Sequence, residues 1–175
     1  MPIPIFIMKL VLLMPLAVIV IYYDVRYRRI PNLVVVAALV AGLCINTSFL
    51  GLAGTIASLK GLGLAFLPMF LMHIFGAMGA GDVKLFAAVG AVVGVALVPM
   101  TFVVVVMLGA ALAVYSMLRS GTVFSTLHGV LRIFVGVLPG WEMPRFAMPP
   151  DRSHTIPYGV AIMLGSVIST LVFRA

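Results

Sequence analysis

Only four acidic residues occur in this 175-residue chain, and two of them, Asp24 and Asp82, abut apolar runs long enough to cross a bilayer. A charge placed at the centre of a membrane helix costs about 2.5 to 3.5 kcal/mol on insertion scales, so a carboxylate beside such a run needs a reason. Two carboxylates brought together in a partly dry site cannot both ionise easily, because the first charge raises the cost of the second. They then share a proton. The ionised member can take a proton from water while the protonated member gives one up, which is the chemistry of aspartic peptide hydrolysis. Asp82 also lies directly behind a glycine run, "GAMGAGDVKL", whose Gly76, Gly79 and Gly81 let backbone approach backbone. Taken singly, each aspartate has a plainer reading: Asp82 as the N-cap of a helix, Asp24 as a juxtamembrane residue paired with Arg26 or Arg28.

The elements that must position such a pair follow from composition. Hydrophobic residues make up 64% of the chain and charged ones 9%, with a mean hydropathy of +1.30. That balance describes an integral membrane protein of all-α class, a single transmembrane domain over residues 1–175. Six spans of about 20 apolar residues are expected: Ile3 to Tyr23, Leu33 to Leu52, Ile56 to Phe75, Val83 to Val98, Thr101 to Leu118, and Ile156 to Phe173. The first lacks a basic n-region and a small-residue cleavage site, so it reads as a retained helix and not as a secretory signal. Between the fifth and sixth spans, Thr122 to Leu138 has Ser125, His128, Arg132 and Gly136 on one helical face and Phe124, Leu127, Leu131, Phe134 and Leu138 on the other. An amphipathic helix lying on the inner surface fits that pattern.

Lysine and arginine placement sets the orientation. With the N-terminus outside, Arg26, Arg28, Arg29, Lys84, Arg119, Arg132, Arg145 and Arg152 fall inside, against Lys9, Lys60 and Arg174 outside. Asp24 then ends the first helix on the inner side, the chain crosses out and back, and Asp82 begins the fourth helix on the inner side again. The topology brings both carboxylates to one face.

Other residues carry less. The +7 formal charge is dispersed over loops and forms no dense patch, which argues against nucleic acid. Cys44 is the only cysteine, so no intramolecular disulfide or multi-cysteine metal site is possible; it reads as lipid-facing or packed core. His73, His128 and His154 are too scattered for a metal site, and no metal or cofactor is expected. Asn46 reads as an interhelical hydrogen bonder.

Three motifs resemble those of the type IV prepilin peptidases. "DVRYRRIPN", Asp24 to Asn32, is similar to their D-x4-R-I-P-N signature, with Arg29, Pro31 and Asn32 in it; "GAGDVKL", Gly79 to Leu85, is similar to their G-x-G-D-x-K-L signature, with Gly79, Gly81, Asp82 and Lys84. "IPYGVAI", Ile156 to Ile162, resembles the proline-aromatic-glycine motif opening their last helix, with Pro157, Tyr158 and Gly159. The resemblance implies a multi-pass aspartic protease of the bacterial inner membrane. It would remove short basic leaders from prepilins and pilin-like partners at the cytoplasmic face, before the apolar pilin helix, with Asp24 and Asp82 as the catalytic pair. The larger members also methylate the new N-terminus and carry paired Cys-x-x-Cys motifs in a cytoplasmic insertion. This sequence has neither the insertion nor those cysteines, so peptidase activity without methyl transfer is expected, and the small size and compact motifs resemble the tight-adherence, or Flp, pilus branch. A proton- or cation-coupled transporter is the alternative, for which the carboxylates belong near the membrane midplane and not at span ends.

Overall fold

The computed structural model describes residues 2–76, 78–120 and 158–173, and every regular element among them is helical. There are five helices: α1, Ile3–Tyr27; α2, Asn32–Ile74; α3, Ala80–Val93; α4, Val98–Ser120; and α5, Tyr158–Val172. Three of these, α1, α2 and α4, are long and apolar enough to cross a membrane, whereas α5 is apolar but shorter. The expected surface helix from Thr122 to Leu138, together with Ile156 and Pro157, lies outside the described residues.

Local sequence explains the boundaries. The α1 helix ends where Arg28 adopts a left-handed conformation, φ 52°, its N–H donating to the Asp24 carbonyl at 3.1 Å. Pro31 then bars helical continuation backward and starts α2, accepting from Val34 and Val35 through its own carbonyl. The chain between is the "RRIP" segment.

The two expected spans from Leu33 to Leu52 and from Ile56 to Phe75 occupy the single 43-residue α2, interrupted at Gly51 with φ 59° and ψ −141°. That conformation is open only to glycine. In a straight helix, positions 46 and 58 would lie about 18 Å apart, yet Asn46 Nδ2 donates to Ser58 Oγ at 2.8 Å and the Thr47 and Thr55 hydroxyls meet at 2.8 Å. The helix therefore folds back on itself as a hairpin, with arms over residues 32–50 and 52–74.

The fourth expected span, Val83 to Val98, is shorter than expected. The α3 helix stops at Val93 because Gly94 turns the chain at φ 85°, and α4 begins at Val98, three positions before Thr101. Within α3, Leu85 to Val93 are all buried. It is the central helix, clasped by both arms of α2 and by α5. Small residues permit that closeness: a Cβ on Gly90 would run into the Gly61 carbonyl oxygen, and one on Gly42 would lie 2.8 Å from Val92 Cα. The core continues through Leu13, Leu16 and Val20 of α1 and Ile162 and Met163 of α5. Cys44 is exposed on the outside of the bundle.

An apolar helix end needs polar partners, since the last four carbonyls have none within the helix. In α3 all four are taken. The Gly90 carbonyl accepts from Gly94 N–H at 3.0 Å, and Ala91 from Asn46 Nδ2 and Ser58 Oγ, each at 2.9 Å. Val92 accepts from Asn46 Nδ2 at 3.1 Å, and Val93 from Lys9 Nζ at 3.0 Å. Asn46 is thus the interhelical hydrogen bonder expected of it. Lys9, counted above only as an outer-face charge, is 2% exposed and serves the interior.

Backbone contact between α2 and α3 predicts a sharp steric contrast. Gly90→Ala should destabilise the protein by about 1 to 3 kcal/mol through overpacking, whereas Gly63→Ala, where a Cβ meets nothing within 4 Å, should be tolerated. Thermal melting of the two variants in detergent tests this; equal midpoints would contradict the close α2–α3 approach.

Candidate active site

Asp24 sits in the last turn of α1 and is 7% exposed. The backbone explains how a carboxylate tolerates that place. The first amides of a helix lack partners of their own, and the N–H groups of Gly159 and Val160, in the first turn of α5, donate to the Asp24 carboxylate. Asp24 thus caps α5 from a different helix. Arg28, one turn further on, acts on it electrostatically. Its Oδ2 is buried and has no hydrogen-bond partner of good geometry among the described residues.

Gly159 makes this approach possible. A Cβ there would lie 2.7 Å from Asp24 Oδ2 and 3.0 Å from its Cγ. The motif glycine is required by contact with the carboxylate.

Asp82 lies in the first turn of α3, half-buried. The N-cap of that helix is Gly79, not Asp82. Asp82 is the third helical residue and its carboxylate accepts from the Gly79 N–H, which is the returning half of a capping box. Each aspartate therefore rests at the positive end of a short helix, where a negative charge is favoured.

The two carboxylates are close enough to interact electrostatically. Tyr158 joins them: its phenol lies within range of the Asp82 charge, and its ring lies against α4, where a Cβ on Gly109 would be 3.0 Å from the ring edge. Chain topology brings together Asp24, Asp82, Tyr158 and Gly159 from α1, α3 and α5.

The remaining motif residues hold the frame. Lys84 Nζ donates to Asn32 Oδ1 at 3.5 Å, tying the start of α3 to the start of α2. Pro31 opens α2, Gly81 faces Ile30 at ordinary contact distance, and Arg29 is exposed. Pro157 lies outside the described residues. Behind the glycine run, His73 Nδ1 donates to the Met78 carbonyl at 2.8 Å and closes the turn between α2 and α3. No group of three or more His, Cys, Asp or Glu that could hold a metal occurs among the described residues. Sequence reasoning missed the amide of Val160 and the contact at Gly109. Nothing in their own residue types marks them.

Residues 11–114 match the type IV leader peptidase family, a stretch that contains both aspartates. This chain belongs to that family. It is also 28% identical over 169 residues, 92% of its own length, to a prepilin leader peptidase/N-methyltransferase of Bacillus subtilis (strain 168). The chain spans about half, 54%, of that relative. No solved structure matches it.

The proximity of the pair can be read directly. In a Cys44→Ala background, Asp24→Cys and Asp82→Cys together should be joined by a short bifunctional thiol-reactive cross-linker such as a bis-methanethiosulfonate, and each should react with small water-soluble thiol-reactive reagents from the face carrying Arg26, Arg28 and Arg29. Labelling confined to the opposite face, or no cross-link with any short reagent, would refute the paired arrangement.

Proposed function

We propose that this family member is an intramembrane aspartic endopeptidase that removes the short basic leader of prepilins and pilin-like proteins at the cytoplasmic face of the bacterial inner membrane. The observation that carries this reading is that Asp24 and Asp82, from two helices, lie within electrostatic range of each other, inside the stretch matched by the family. The carboxylate that is ionised takes a proton from water, and the oxygen so activated attacks the scissile carbonyl. The protonated partner donates to the departing amine. Asp24 Oδ2, without a hydrogen-bond donor among the described residues, is suited to hold the shared proton. Two helix N-termini keep the pair at a fixed spacing, so little reorganisation is needed as charge moves.

The topology that fits this role has six crossings, the two arms of α2 counting separately, with the N-terminus outside. Both carboxylates then lie at the inner ends of their helices, where a basic leader is held and the chain can be extended. Peptidase activity without methyl transfer accords with the single cysteine of the chain, and the small Flp-type pilins are the substrate class it favours. A transporter accords less well with carboxylates at helix ends than with broken helices at the midplane.

Co-expression with a prepilin, followed by its electrophoretic shift, tests the activity. Asp24→Asn and Asp82→Asn should each abolish cleavage while the protein remains in the membrane, because an amide neither accepts nor releases the proton. Near-normal processing by either variant would remove that aspartate from the pair.

Lys84 should behave differently, since it bonds Asn32 and not the carboxylates. Lys84→Ala is expected to lower the rate several-fold without abolishing it, as one exposed hydrogen bond contributes about 1 kcal/mol. Complete loss in a folded variant would assign Lys84 a direct electrostatic role.

A further inference from the structure

Lys9 is fully enclosed, 2% exposed, on a helix whose other buried charged residue is Asp24. Its Nζ donates to the Val93 carbonyl, the last of α3, at 3.0 Å, and a Cβ on Gly94 would come within 3.9 Å of the same nitrogen. A cation is favoured there because the helix dipole is negative at its C-terminus.

The two helices run antiparallel. Lys9, early in α1, bonds the end of α3, while Asp24, late in α1, lies within electrostatic range of Asp82 at the start of α3. Along α1 the rise from Lys9 to Asp24 is about 22 Å, and along α3 that from Asp82 to Val93 is about 16 Å. A lysine side chain extends roughly 6 Å on its four-carbon stem, so it can reach the end of α3 from a neighbouring helix. The backbones of α1 and α3 scarcely approach each other, each packing instead against α2 and α5. Their mutual register therefore depends on the few side chains that reach across, and Lys9 is the one that ends on a backbone atom of α3.

We propose that Lys9 is a positioning residue that sets the register of α1 against α3 and thereby aligns Asp24 with Asp82, from the opposite end of the bundle. The other α3 carbonyls near this end are satisfied from α2, through Asn46 and Ser58. They hold α3 to α2, whereas the lysine bonds it to the helix bearing the second carboxylate.

The kinetic test rests on the peptidase reading, while the cross-linking test does not. Lys9→Met, nearly isosteric without a donor, is expected to lower kcat on a prepilin by about 10- to 100-fold, the loss that a misplacement near 1 Å can produce. KM should remain unchanged, since the substrate surface is at the far end. In the Cys44→Ala, Asp24→Cys, Asp82→Cys protein the same substitution should reduce short-reagent cross-linking, and Lys9→Arg should restore much of both. Lys9→Leu, which also lacks a donor, gives a second route should Lys9→Met fail to accumulate. A folded Lys9→Met or Lys9→Leu protein with wild-type kcat and cross-linking overturns the proposal, as does a change in KM alone. Absence of both variants from the membrane also overturns it, by making Lys9 a folding requirement. Were the wild-type chain unable to cut any prepilin while Lys9→Met still lost cross-linking, the peptidase reading would fail and the alignment role would stand.

Discussion

A helix that stops in apolar surroundings leaves carbonyls that water cannot reach, each costing several kcal/mol if unpaired. The α3 helix stops that way at Val93, and much of the bundle is arranged around the answer. Its four terminal carbonyls draw in the Gly94 amide, Asn46 and Ser58 from the two arms of α2, and Lys9 from α1. Satisfying the backbone thus brings three separate stretches of chain to one point. A consequence follows for the hairpin: Asn46 and Ser58 can share the Ala91 carbonyl only if α2 reverses between them, which the glycine-only conformation at Gly51 permits.

The opposite end of the bundle poses the complementary problem, unpartnered amides at the starts of α3 and α5. Here carboxylates supply the answer. Asp82 returns to the Gly79 N–H of its own helix, and Asp24 reaches from α1 to the amides of Gly159 and Val160. The same two residues that cap the helices form the pair proposed for catalysis, so fold and chemistry draw on one set of contacts. Stability favours both ionised as caps, whereas mutual repulsion favours a shared proton. That opposition keeps the pair responsive.

Much of this was legible in sequence, for physical reasons that can be stated. Hydropathy marked the helices, and counting the reversals of chain direction between Asp24 and Asp82 put them at the same end of the bundle, where the structure has them within electrostatic range. The pairing of Gly159 with a carboxylate was foreshadowed only as a motif; its cause, the 2.7 Å that a Cβ would leave to Asp24 Oδ2, is a tertiary fact. Asp82 as N-cap was off by one turn, since Gly79 takes that place and leaves Asp82 to bond back to it. Lys9 was misjudged for a deeper reason. Counting lysines assigns a side to the membrane but cannot tell a charge facing headgroups from one turned inward to a helix end. The end of α3 was likewise placed too late, because "VVGVALV" is uniformly apolar and only the positive φ of Gly94 marks the break.

The shortness of α3 has meaning for access. Fourteen residues rise about 21 Å, less than the roughly 30 Å of a hydrocarbon core. A helix that short leaves its ends inside the apolar layer unless the layer thins, and at the Val93 end protein groups replace water. At the Asp82 end the carboxylates do so, and in the proposed reaction they are also the groups that must meet water and a peptide. A substrate helix shields its own peptide bonds by hydrogen bonding, so a scissile bond must come from an extended stretch, which is least costly where the apolar segment gives way to polar leader. With the Val93 end of α3 bonded by Asn46, Ser58 and Lys9, Asp82 is placed a fixed distance from it, and Asp24 lies within its electrostatic range. In the proposed reaction, the depth at which such a bond is cut then follows from the length of α3 and from the groups that close its far end, not from the carboxylates alone.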